Sequence, residues 1–368
     1  MMLLFITFGG EALNIDGKRI LITGGTGSLG RALVRRMLSG SFGSPAEINI
    51  FSRDEAKQHY MRLSFLNIKS STDEIIYENS KNLLKFHIGD VRDYHSVLRV
   101  LRGVDIVIHA AALKQVPNCE YFPMQAIKTN ILGTYNLILA IIENKLPIET
   151  VVGVSTDKAC KPINTMGMTK ALMERILIEA NIEYPTTRFV CVRYGNVISS
   201  RGSVVPLFLD QIRKGGPLTI TDKKMTRFLL TLDQAVDTIF TAVKEALPGE
   251  IFVPMAKSAF IVDVAKVLMN ILDNRNIPII FTGIRPGEKI DEILISEEEA
   301  YRTIEYNGYY VIRSMLPELE KISIAHRRNL VKSVSFREYS SSNVSLDYEN
   351  LFKLLSPYAK DVISEEII

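Results

Sequence analysis

The amino-acid sequence predicts an α/β fold, in which a doubly wound parallel sheet is followed by a smaller mixed unit toward the C-terminus. Short apolar runs rich in Ile and Val alternate with helical stretches through the first half of the chain, as expected for buried parallel strands and crossover helices. A glycine-rich turn joins the first predicted strand to the first predicted helix. After Asn196 the alternation gives way to shorter, mixed elements.

The individual elements follow from apolar spacing and from turn residues. Strands are expected at 19–23, 47–51, 84–88, 105–109, 150–154 and 187–192, and helices at 29–38, 129–144 and 168–180. Later helices are expected at 205–214, 232–247 and 261–272, with short strands at 251–253 and 278–282. The polar stretch 337–343 indicates a loop, and 348–355 indicates a short helix.

The composition argues against several classes of protein. The 368 residues carry a formal net charge of +3, which is too small to argue for a nucleic-acid surface. Cys119, Cys160 and Cys191 lack the paired spacing of zinc sites, and an odd, low count fits a reducing cytoplasm. The apolar start, 1–8, lacks a basic leader and is far shorter than the ~20 residues that span a bilayer. We therefore expect a cytoplasmic protein without a membrane span, a metal site or a nucleic-acid partner.

The glycine-rich turn has the spacing of a dinucleotide site. Its three glycines are three residues apart and follow a strand directly. One glycine permits the tight turn, one lets the backbone approach a pyrophosphate, and one lets helix and strand pack closely, while the helix amino end offers free N–H groups. This context predicts a Rossmann-like cofactor site rather than a plain loop. The residues expected to bind there are Gly24, Thr26, Gly27, Ser28, Leu29 and Gly30.

The end of the second strand favours NADP over NAD. NAD sites usually place a carboxylate there for the ribose 2′-hydroxyl, whereas an arginine suits a 2′-phosphate. Ser52 and Arg53 occupy this corner. The alternative is that Asp54 takes the carboxylate role and Arg53 is a solvated surface charge.

Two further segments follow strands of the same sheet. Asp90 and Val91 come after the third strand, where Asp90 would lie near the adenine amino group. Ala110 and Ala111 come after the fourth strand, where small side chains would let the nicotinamide half approach the backbone. Either segment could instead be ordinary loop and core packing.

The fifth strand ends in a group of acid–base side chains. Thr156, Asp157 and Lys158 follow it directly, and Lys170 lies in the next predicted helix, 168–180. Ligands of such sheets bind at the carboxyl ends of the strands, so a hydroxyl, a carboxylate and an ammonium there suggest catalysis. The alternative for Asp157 and Lys158 is a surface ion pair on a turn.

At this point the chain resembles a known family. It is similar to the extended short-chain dehydrogenases that act on nucleotide sugars, and most of all to the configuration-inverting UDP-N-acetylglucosamine 4,6-dehydratases of bacterial surface-glycan synthesis (capsule, O-antigen or flagellin sugars). The segments that carry the resemblance are GGTGSLG at 24–30, FSRDE at 51–55, GDVRD at 89–93, HAAALKQVPNCE at 109–120, STDKA at 155–159, RYGNVISSRGSVVPLF at 193–208, MTRF at 225–228 and GIRPGEK at 283–289.

The resemblance implies a reaction and a role for each catalytic residue. A hydride leaves carbon 4 of the sugar for NADP+ and returns to carbon 6 after water is lost, and carbon 5 is inverted. Asp157 would protonate the departing hydroxyl, and Lys158 would remove the carbon-5 proton. Thr156 would hydrogen-bond the carbon-4 oxygen, and Lys170 would orient the nicotinamide ribose.

The resemblance also implies a binding set for the UDP-sugar. Arginine suits phosphate oxygens, and Glu288 can accept a hydrogen bond from a ribose hydroxyl. For Arg201 and Arg227 the alternative is solvation on a helix surface. The predicted substrate-binding residues are Lys114, Asn196, Arg201, Arg227, Arg285 and Glu288.

One position departs from the superfamily pattern. A tyrosine normally stands four residues before the lysine, but here Met166 precedes Lys170. A thioether cannot transfer a proton, so either another group must deprotonate the sugar hydroxyl, or Lys170 and Lys158 must do so through the substrate or water. Some relatives of the inverting dehydratases carry methionine here too, so Met166 does not imply an inactive protein.

Three competing functions remain open at the level of sequence. A UDP-sugar 4-epimerase would share the ketone intermediate but needs no acid at carbon 6, and it normally relies on the missing tyrosine. The sequence distinguishes a 4,6-dehydratase that retains the carbon-5 configuration from an inverting one only through family likeness. A non-catalytic NADP-binding regulator is disfavoured by the surviving Asp157, Lys158 and Lys170. His87 and His109 lie in apolar strands and are expected to be core groups.

The predicted division of the chain follows from these assignments. Residues 16–195, completed by 232–256, form the NADP-binding Rossmann domain, and 196–231 with 257–345 form the UDP-sugar-binding region. Residues 1–15 and 346–368 are predicted to be terminal extensions. We also expect a homo-oligomer.

Overall fold

A ten-stranded sheet, parallel over most of its width, organises the protein. The computed structural model describes residues 15–66, 83–198, 200, 202–272, 276–327 and 332–364, with side chains as far as residue 359. Of the predicted terminal extensions, 1–14 therefore lies outside the described residues.

The eight strands expected from apolar runs lie close to their predicted bounds, and the described residues form nine further strands that the apolar runs do not predict. In chain order, all of these strands are β1 Arg19–Thr23, β2 Glu47–Ser52, β3 Leu84–Ile88, β4 Ile106–His109, β5 Thr150–Thr156, β6 Arg188–Tyr194, β7 Asn196–Val197, β8 Leu218–Ile220, β9 Thr226–Leu230, β10 Ile251–Pro254, β11 Lys257–Phe260, β12 Ile279–Phe281, β13 Ile293–Ile295, β14 Thr303–Tyr306, β15 Tyr309–Ile312, β16 Lys332–Ser333 and β17 Tyr339–Ser340.

The helices connect these strands. They are α1 Ser28–Leu38, α2 Glu55–Leu66, α3 Tyr94–Leu101, α4 Val116–Tyr121, α5 Pro123–Ala126, α6 Gly133–Glu143, α7 Thr165–Glu183, α8 Val204–Arg213, α9 Leu232–Glu245, α10 Ile261–Ile271, α11 Glu297–Ala300, α12 Pro317–Arg327 and α13 Tyr348–Ser364. A π-helical segment, Ile127–Leu132, leads into α6, and a 3₁₀ turn, Asp157–Ala159, follows β5.

The order of the strands is that of a Rossmann-like fold, which confirms the predicted class. Across the large sheet the order is β3-β2-β1-β4-β5-β6-β10-β15-β14-β16. Neighbours from β3 to β10 are parallel, and β15, β14 and β16 continue the sheet antiparallel. The direction of winding reverses between β1 and β4, so a crevice opens beyond their carboxyl ends. As the sequence predicts, the chain returns to this sheet through β10, which pairs with β6.

A second hydrophobic core lies among the elements that follow the Rossmann-like half. It joins α8, β8, α10 and α13 and is separate from the apolar cluster of the large sheet. Leu351, Leu355 and Ala359 of α13 are buried in it, each one helical turn after the last. The predicted boundary at 345 therefore leaves out a helix that completes this core.

Within the described residues, no helix combines the length and the apolar character needed to cross a bilayer. The same part of the chain holds no group of three His, Cys, Asp or Glu side chains arranged to bind a metal ion.

Candidate active site

The glycine-rich turn brings β1, α1 and the end of β4 into close contact. Gly24 has φ +68°, a conformation that L side chains rarely adopt, and a Cβ there would lie 2.9 Å from the Ala111 backbone. A Cβ on Gly30 would overlap the backbone of Gly25, so helix α1 packs directly on the turn. At Gly27 a Cβ would have only the Gly24 carbonyl nearby, at 3.3 Å, which leaves the middle of the turn open. The geometry at these three glycines is compatible with the roles that their spacing predicts.

A cleft of about 490 Å³ opens beside this turn. It is lined by Gly24, Thr26, Phe51, Ser52, Arg53, Asp54, Lys57, Gly89, Asp90, Val91, Ala111, Ala112 and Thr129. Ser28 and Leu29 are the first residues of α1, and a Cβ on Gly24 would lie 3.1 Å from the carbonyl carbon of Ala110. The buried Thr129 hydroxyl has no hydrogen-bond partner. An open turn, a helix amino end and an unpaired hydroxyl fit a dinucleotide.

The corner after β2 presents cations rather than a free carboxylate. Arg53 is half exposed, and its Nη1 lies 3.6 Å from Asp90 Oδ2. The Asp54 carboxylate accepts a hydrogen bond from the Lys57 N–H at 2.9 Å and pairs with Lys57 Nζ, which lowers its pKa. Ser52 Oγ accepts a hydrogen bond from Gln58 Nε2 at 3.0 Å. Burial would raise the pKa of Asp90, but its bonds to Arg92 outweigh that effect and lower it.

A buried group of charges forms where β5 ends. Thr156 Oγ1 donates to Asp157 Oδ1 at 2.8 Å, and Lys158 Nζ lies 3.1 Å from that same oxygen. Lys158 Nζ also lies 3.0 Å from Glu292 Oε1 at the start of β13. We call Thr156, Asp157, Lys158 and Glu292 the acid–base cluster. Asp157 is fully buried, so the pair it forms with Lys158 is not a surface ion pair.

Several polar atoms around the acid–base cluster are buried without a hydrogen-bond partner. Among the described residues they include Asp157 Oδ2, Glu292 Oε2, Ser155 Oγ and Asn196 Oδ1. The chain passes close by, since a Cβ on Gly195 would lie 3.3 Å from Asp157 Oδ2. Because buried polar groups in proteins are almost always paired, this concentration of unpaired oxygens indicates a place where a polar ligand binds.

The charge state of Lys158 follows from its neighbours. Burial alone would lower the pKa of Lys158, but the adjacent carboxylates of Asp157 and Glu292 outweigh burial and raise it. Arg227 acts in the opposite direction and is not strong enough to reverse the result. Lys158 is therefore an ammonium in this structure, and it must lose a proton before it can act as a base.

Lys170 lies on α7 in a different environment. Its Nζ is buried and donates to the thioether of Met173 at 2.9 Å, and burial lowers its pKa to about 8. Met166, one turn earlier, is only 4% exposed and packs against Cys119 and Ala126. The side chain of Asn164 caps α7 by accepting from the Gly167 N–H at 2.8 Å.

Of the two histidines predicted to be core groups, His87 is only partly buried, with its Nε2 2.7 Å from Asn49 Oδ1, whereas His109 lies in the core. His109 is fully buried between two hydroxyls, with Thr23 Oγ1 2.9 Å from Nδ1 and Thr134 Oγ1 3.0 Å from Nε2. Burial lowers the pKa of His109 to about 3, so the ring is neutral, as expected for a packed histidine. Burial also raises the pKa of the Cys160 thiol to about 12.

Sequence reasoning missed Glu292. It is almost fully buried, and its backbone exchanges two hydrogen bonds with Ser341, N–H to Oγ at 2.9 Å and Ser341 N–H to its carbonyl at 2.8 Å. Ser341 belongs to the stretch 337–343, which was predicted to be a loop but contributes β17, paired with β13. The one signal in the sequence is the position of Glu292 just after the segment GIRPGEK.

The residues predicted to bind the UDP-sugar lie in different settings. Arg227 is buried and donates to the carbonyls of Thr226, Lys289 and Ile290 at 2.7–2.9 Å. Arg285 is exposed, and Glu288 Oε2 accepts from Thr221 Oγ1 at 3.1 Å. Lys114 is exposed in the segment after β4. Arg201 lies outside the described residues.

Two hydrogen bonds hold the segment 283–289 against the start of α7 and the end of the 3₁₀ turn after β5. Asn164 Nδ2 donates to the Gly287 carbonyl at 2.7 Å, and Lys289 Nζ donates to the Cys160 carbonyl at 2.8 Å. These bonds connect the predicted substrate segment with the start of α7 and with the 3₁₀ turn that carries Asp157 and Lys158.

Comparison with known proteins agrees with this geometry. The family model described as "polysaccharide biosynthesis protein" matches residues 20–314. A curated relative named UDP-glucose 4-epimerase, from Rickettsia conorii, is 48% identical over 298 residues, which are 80% of this chain and 82% of the relative. The crystal structure of Pen from Bacillus thuringiensis is 32% identical with a TM-score of 0.81, covering 93% of this chain and 98% of that one.

A more distant structure shares the fold. DesIV, a dTDP-glucose 4,6-dehydratase from Streptomyces venezuelae solved with NAD bound, is 19% identical with a TM-score of 0.65, covering 93% of this chain and 97% of that one. Fold and relatives together define an enzyme of the extended short-chain dehydrogenase class that modifies nucleotide sugars. The chain belongs to the polysaccharide biosynthesis protein family.

Proposed function

We propose that the protein dehydrates UDP-N-acetylglucosamine to UDP-2-acetamido-2,6-dideoxy-4-hexulose with inversion at carbon 5, using NADP. The observation that carries this proposal is the ion pair of the fully buried Asp157 with the partly exposed Lys158, in which one carboxylate oxygen of Asp157 has no partner. Removal of water from carbons 5 and 6 needs both an acid and a base. Inversion rather than retention is supported by the family resemblance.

NADP, when bound, supplies the acceptor for the hydride of carbon 4 and the donor for carbon 6. Thr156 holds the carbon-4 oxygen, Asp157 protonates the departing carbon-6 hydroxyl, and Lys158 removes the proton of carbon 5. Lys170 holds the ribose next to the reacting carbon. No external reductant is consumed, because the hydride taken from carbon 4 returns to carbon 6 of the same sugar.

The UDP moiety is assigned to the segments that surround the acid–base cluster. Asn196, Arg285 and Glu288 are proposed to contact it directly, with Lys114 and Arg201. Arg227 contributes mainly by holding the carbonyls of 289–290 in place, because most of its donors already bond backbone oxygens.

The preference for NADP rests on the corner after β2. Arg53 and Lys57 both line it, while Asp54 is engaged with Lys57. We expect the protein to bind NADP+ more tightly than NAD+ in calorimetric titrations, and Arg53→Ala to shrink that preference because it removes a partner of the 2′-phosphate. Equal affinity of the parent for the two cofactors would contradict the assignment.

A UDP-glucose 4-epimerase is the second candidate, because the 48% identical relative carries that name. Epimerisation returns the hydride to carbon 4 and releases no water. The two reactions therefore give different products from the same ketone.

One experiment separates the candidates. The purified protein is incubated with UDP-N-acetylglucosamine, and separately with UDP-glucose, in deuterated water and followed by proton NMR. Dehydration gives a new methyl signal and deuterium at carbon 5, whereas epimerisation gives a galacto-configured sugar with its carbon-5 hydrogen intact. The configuration at carbon 5 is read from nuclear Overhauser contacts of the product made in ordinary water.

Variants of the acid and the base complete the test. Asp157→Asn and Lys158→Ala should each slow water loss ~100- to 10,000-fold, because each removes a proton-transfer group. Neither touches the glycine turn, so NADP binding should persist. Turnover near that of the parent in either variant would assign the pair a purely structural role.

A further inference from the structure

A second carboxylate lies beside the proposed base. Glu292 Oε1 is 3.0 Å from Lys158 Nζ, as close as Asp157 on the other side, and Glu292 Oε2 is buried without a hydrogen-bond partner. Arg227 Nε lies 3.7 Å from Glu292 Oε1, and Ser341 fixes the Glu292 backbone. Arg227 and Lys158 offset the charges of Glu292 and Asp157, but Glu292 Oε2 takes part in none of these contacts, so the carboxylate can still accept a proton.

The proton inventory of the reaction explains the need for a second carboxylate. When carbon 4 is oxidised, the proton of its hydroxyl must leave, and Met166 cannot take it. Thr156 Oγ1 donates to Asp157 Oδ1 at 2.8 Å, so this hydroxyl can pass the proton on to Asp157. Asp157 then holds the proton that it must give to the carbon-6 hydroxyl, and it cannot also accept the proton of Lys158.

We propose that Glu292 is a positioning residue that stores the proton of Lys158, so that Lys158 can act as the base at carbon 5. The inference rests on the proposed dehydration. The ammonium hydrogen moves from Lys158 Nζ to Glu292 Oε1, the neutral amine takes the hydrogen of carbon 5, and Asp157 protonates the leaving hydroxyl.

The atoms and electrons of the cycle balance. The hydride of carbon 4 ends on carbon 6, and the hydroxyl proton of carbon 4 ends in the released water by way of Thr156 and Asp157. Carbon 5 loses one proton to Lys158 and regains one from a water molecule on the opposite face, as inversion requires. Lys158 is then an ammonium again, and the proton stored on Glu292 neutralises the hydroxide that the water leaves, so both carboxylates and the lysine end as they began.

The test compares oxidation of carbon 4 with deprotonation of carbon 5 in single turnovers. Glu292→Gln keeps the shape but cannot accept the proton. In this variant we expect carbon 4 to be oxidised within a few-fold of the parental rate and deuterium uptake at carbon 5 to fall ~100-fold or more. Reduced nicotinamide should therefore accumulate on the enzyme. Glu292→Asp, which keeps a carboxylate, should fall between the parent and Glu292→Gln.

Glu250→Gln is the matched control, since Glu250 is equally buried and pairs with Arg327 away from the site. It should not accumulate reduced nicotinamide. Equal slowing of both steps in Glu292→Gln, accumulation in Glu250→Gln, or parental dehydration by Glu292→Gln would each overturn the role of Glu292. If Glu292→Gln does not fold, the rates of carbon-4 oxidation and of deuterium uptake at carbon 5 are compared in Glu292→Asp instead. A parent that releases no water would instead overturn the proposed function.

Discussion

The partly exposed Lys158 and the buried Lys170 have opposite electrostatic surroundings. Lys158 has a carboxylate oxygen about 3 Å away on either side, and its pKa is raised. Lys170 has the thioether of Met173 as its closest acceptor, and its pKa is lowered to about 8. Burial disfavours the charged form of both, so the nearby carboxylates decide the difference. Lys158 is thus suited to exchange protons with carboxylates, and Lys170 titrates near neutral pH.

The lowered pKa of Lys170 predicts a trade-off between stability and function. Lowering from 10.5 to about 8 corresponds to a cost of roughly 3 kcal/mol for the charged form. Lys170→Met removes this charge at similar volume, and we expect it to stabilise the cofactor-free protein at pH 7 by about 1–3 kcal/mol in urea unfolding.

The pH dependence of that difference has a defined sign. Between pH 8 and 10.5 the unfolded lysine binds more protons than the folded one, so the parent gains stability as the pH rises. The advantage of Lys170→Met should therefore shrink across this window. A gap that stays constant, or a variant less stable than the parent at pH 7, would contradict the assignment.

Met166 is predicted to fill the place of the usual tyrosine without a chemical role. It is buried against Cys119 and Ala126, so Met166→Leu should cost under about 1.5 kcal/mol and keep most activity. Lys170→Ala should lose far more activity because it removes the charge beside the ribose. Met166→Tyr adds bulk to the same packed cluster. Steady-state kinetics on folded variants check this, and a Met166→Leu as inactive as Lys170→Ala would give methionine a specific role.

At the residue scale, the sequence predicts those parts of the site whose residues are close together along the chain. The glycine turn and the pair of Asp157 and Lys158 are each contiguous, and the structure places them where the strand ends predict. Glu292 reaches Lys158 only because β13 and β17 pair behind the site, an arrangement that no local pattern records.

At the scale of elements, the sequence contains a hairpin signal that the apolar patterns alone do not predict. Strands β14 and β15 are joined by Asn307 and Gly308, which both have positive φ, and Tyr306 pairs with Tyr309 across the turn. Asn-Gly is the preferred pair for such two-residue turns. The hairpin was not predicted, although it extends the antiparallel edge of the large sheet next to β10.

The segment 283–289 provides a prediction at this scale. Gly287 has φ +77°, and a Cβ there would lie 3.0 Å from Asn164 Cβ, whereas Gly283 has φ +82° with nothing within 4 Å of its Cβ. Gly287→Ala should raise the KM for the UDP-sugar several-fold, because it pushes the segment away from α7. Gly283→Ala imposes the same backbone strain of about 1 kcal/mol without the contact.

The comparison of these two variants isolates the contact with Asn164. The affinity for NADP should stay near that of the parent in both. Equal KM values for Gly283→Ala and Gly287→Ala would mean that backbone strain alone matters.

At the scale of the whole molecule, two separate hydrophobic cores support different parts of the candidate site. The cluster of the large sheet supports the glycine turn and the acid–base cluster through β1, β4 and β5. The second core supports β8 and β12, and β12 leads directly into the segment 283–289 through the bonds of Thr282 and Gly283 to residues 220 and 221. Binding of NADP is therefore expected to depend on the cluster of the large sheet, and binding of the UDP-sugar on the second core.

Helix α13 tests this division. Leu355 is fully buried in the second core, and Leu355→Ala should destabilise the protein by about 2–5 kcal/mol because it leaves a cavity. Lys353→Ala, on the exposed side of the same helix, should change stability by under about 0.5 kcal/mol.

The functional consequence distinguishes the two cores. Below the melting temperature of both variants, Leu355→Ala should raise the KM for the UDP-sugar while the dissociation constant for NADP stays near the parental value. The reason is that β8 and β12 belong to the same hydrophobic core as Leu355. The glycine turn instead packs on α1 and β4, which belong to the cluster of the large sheet. An equal loss of affinity for both ligands in the folded Leu355→Ala protein would show that the two cores respond as one unit, and that α13 supports the cofactor cleft as much as the segment 283–289.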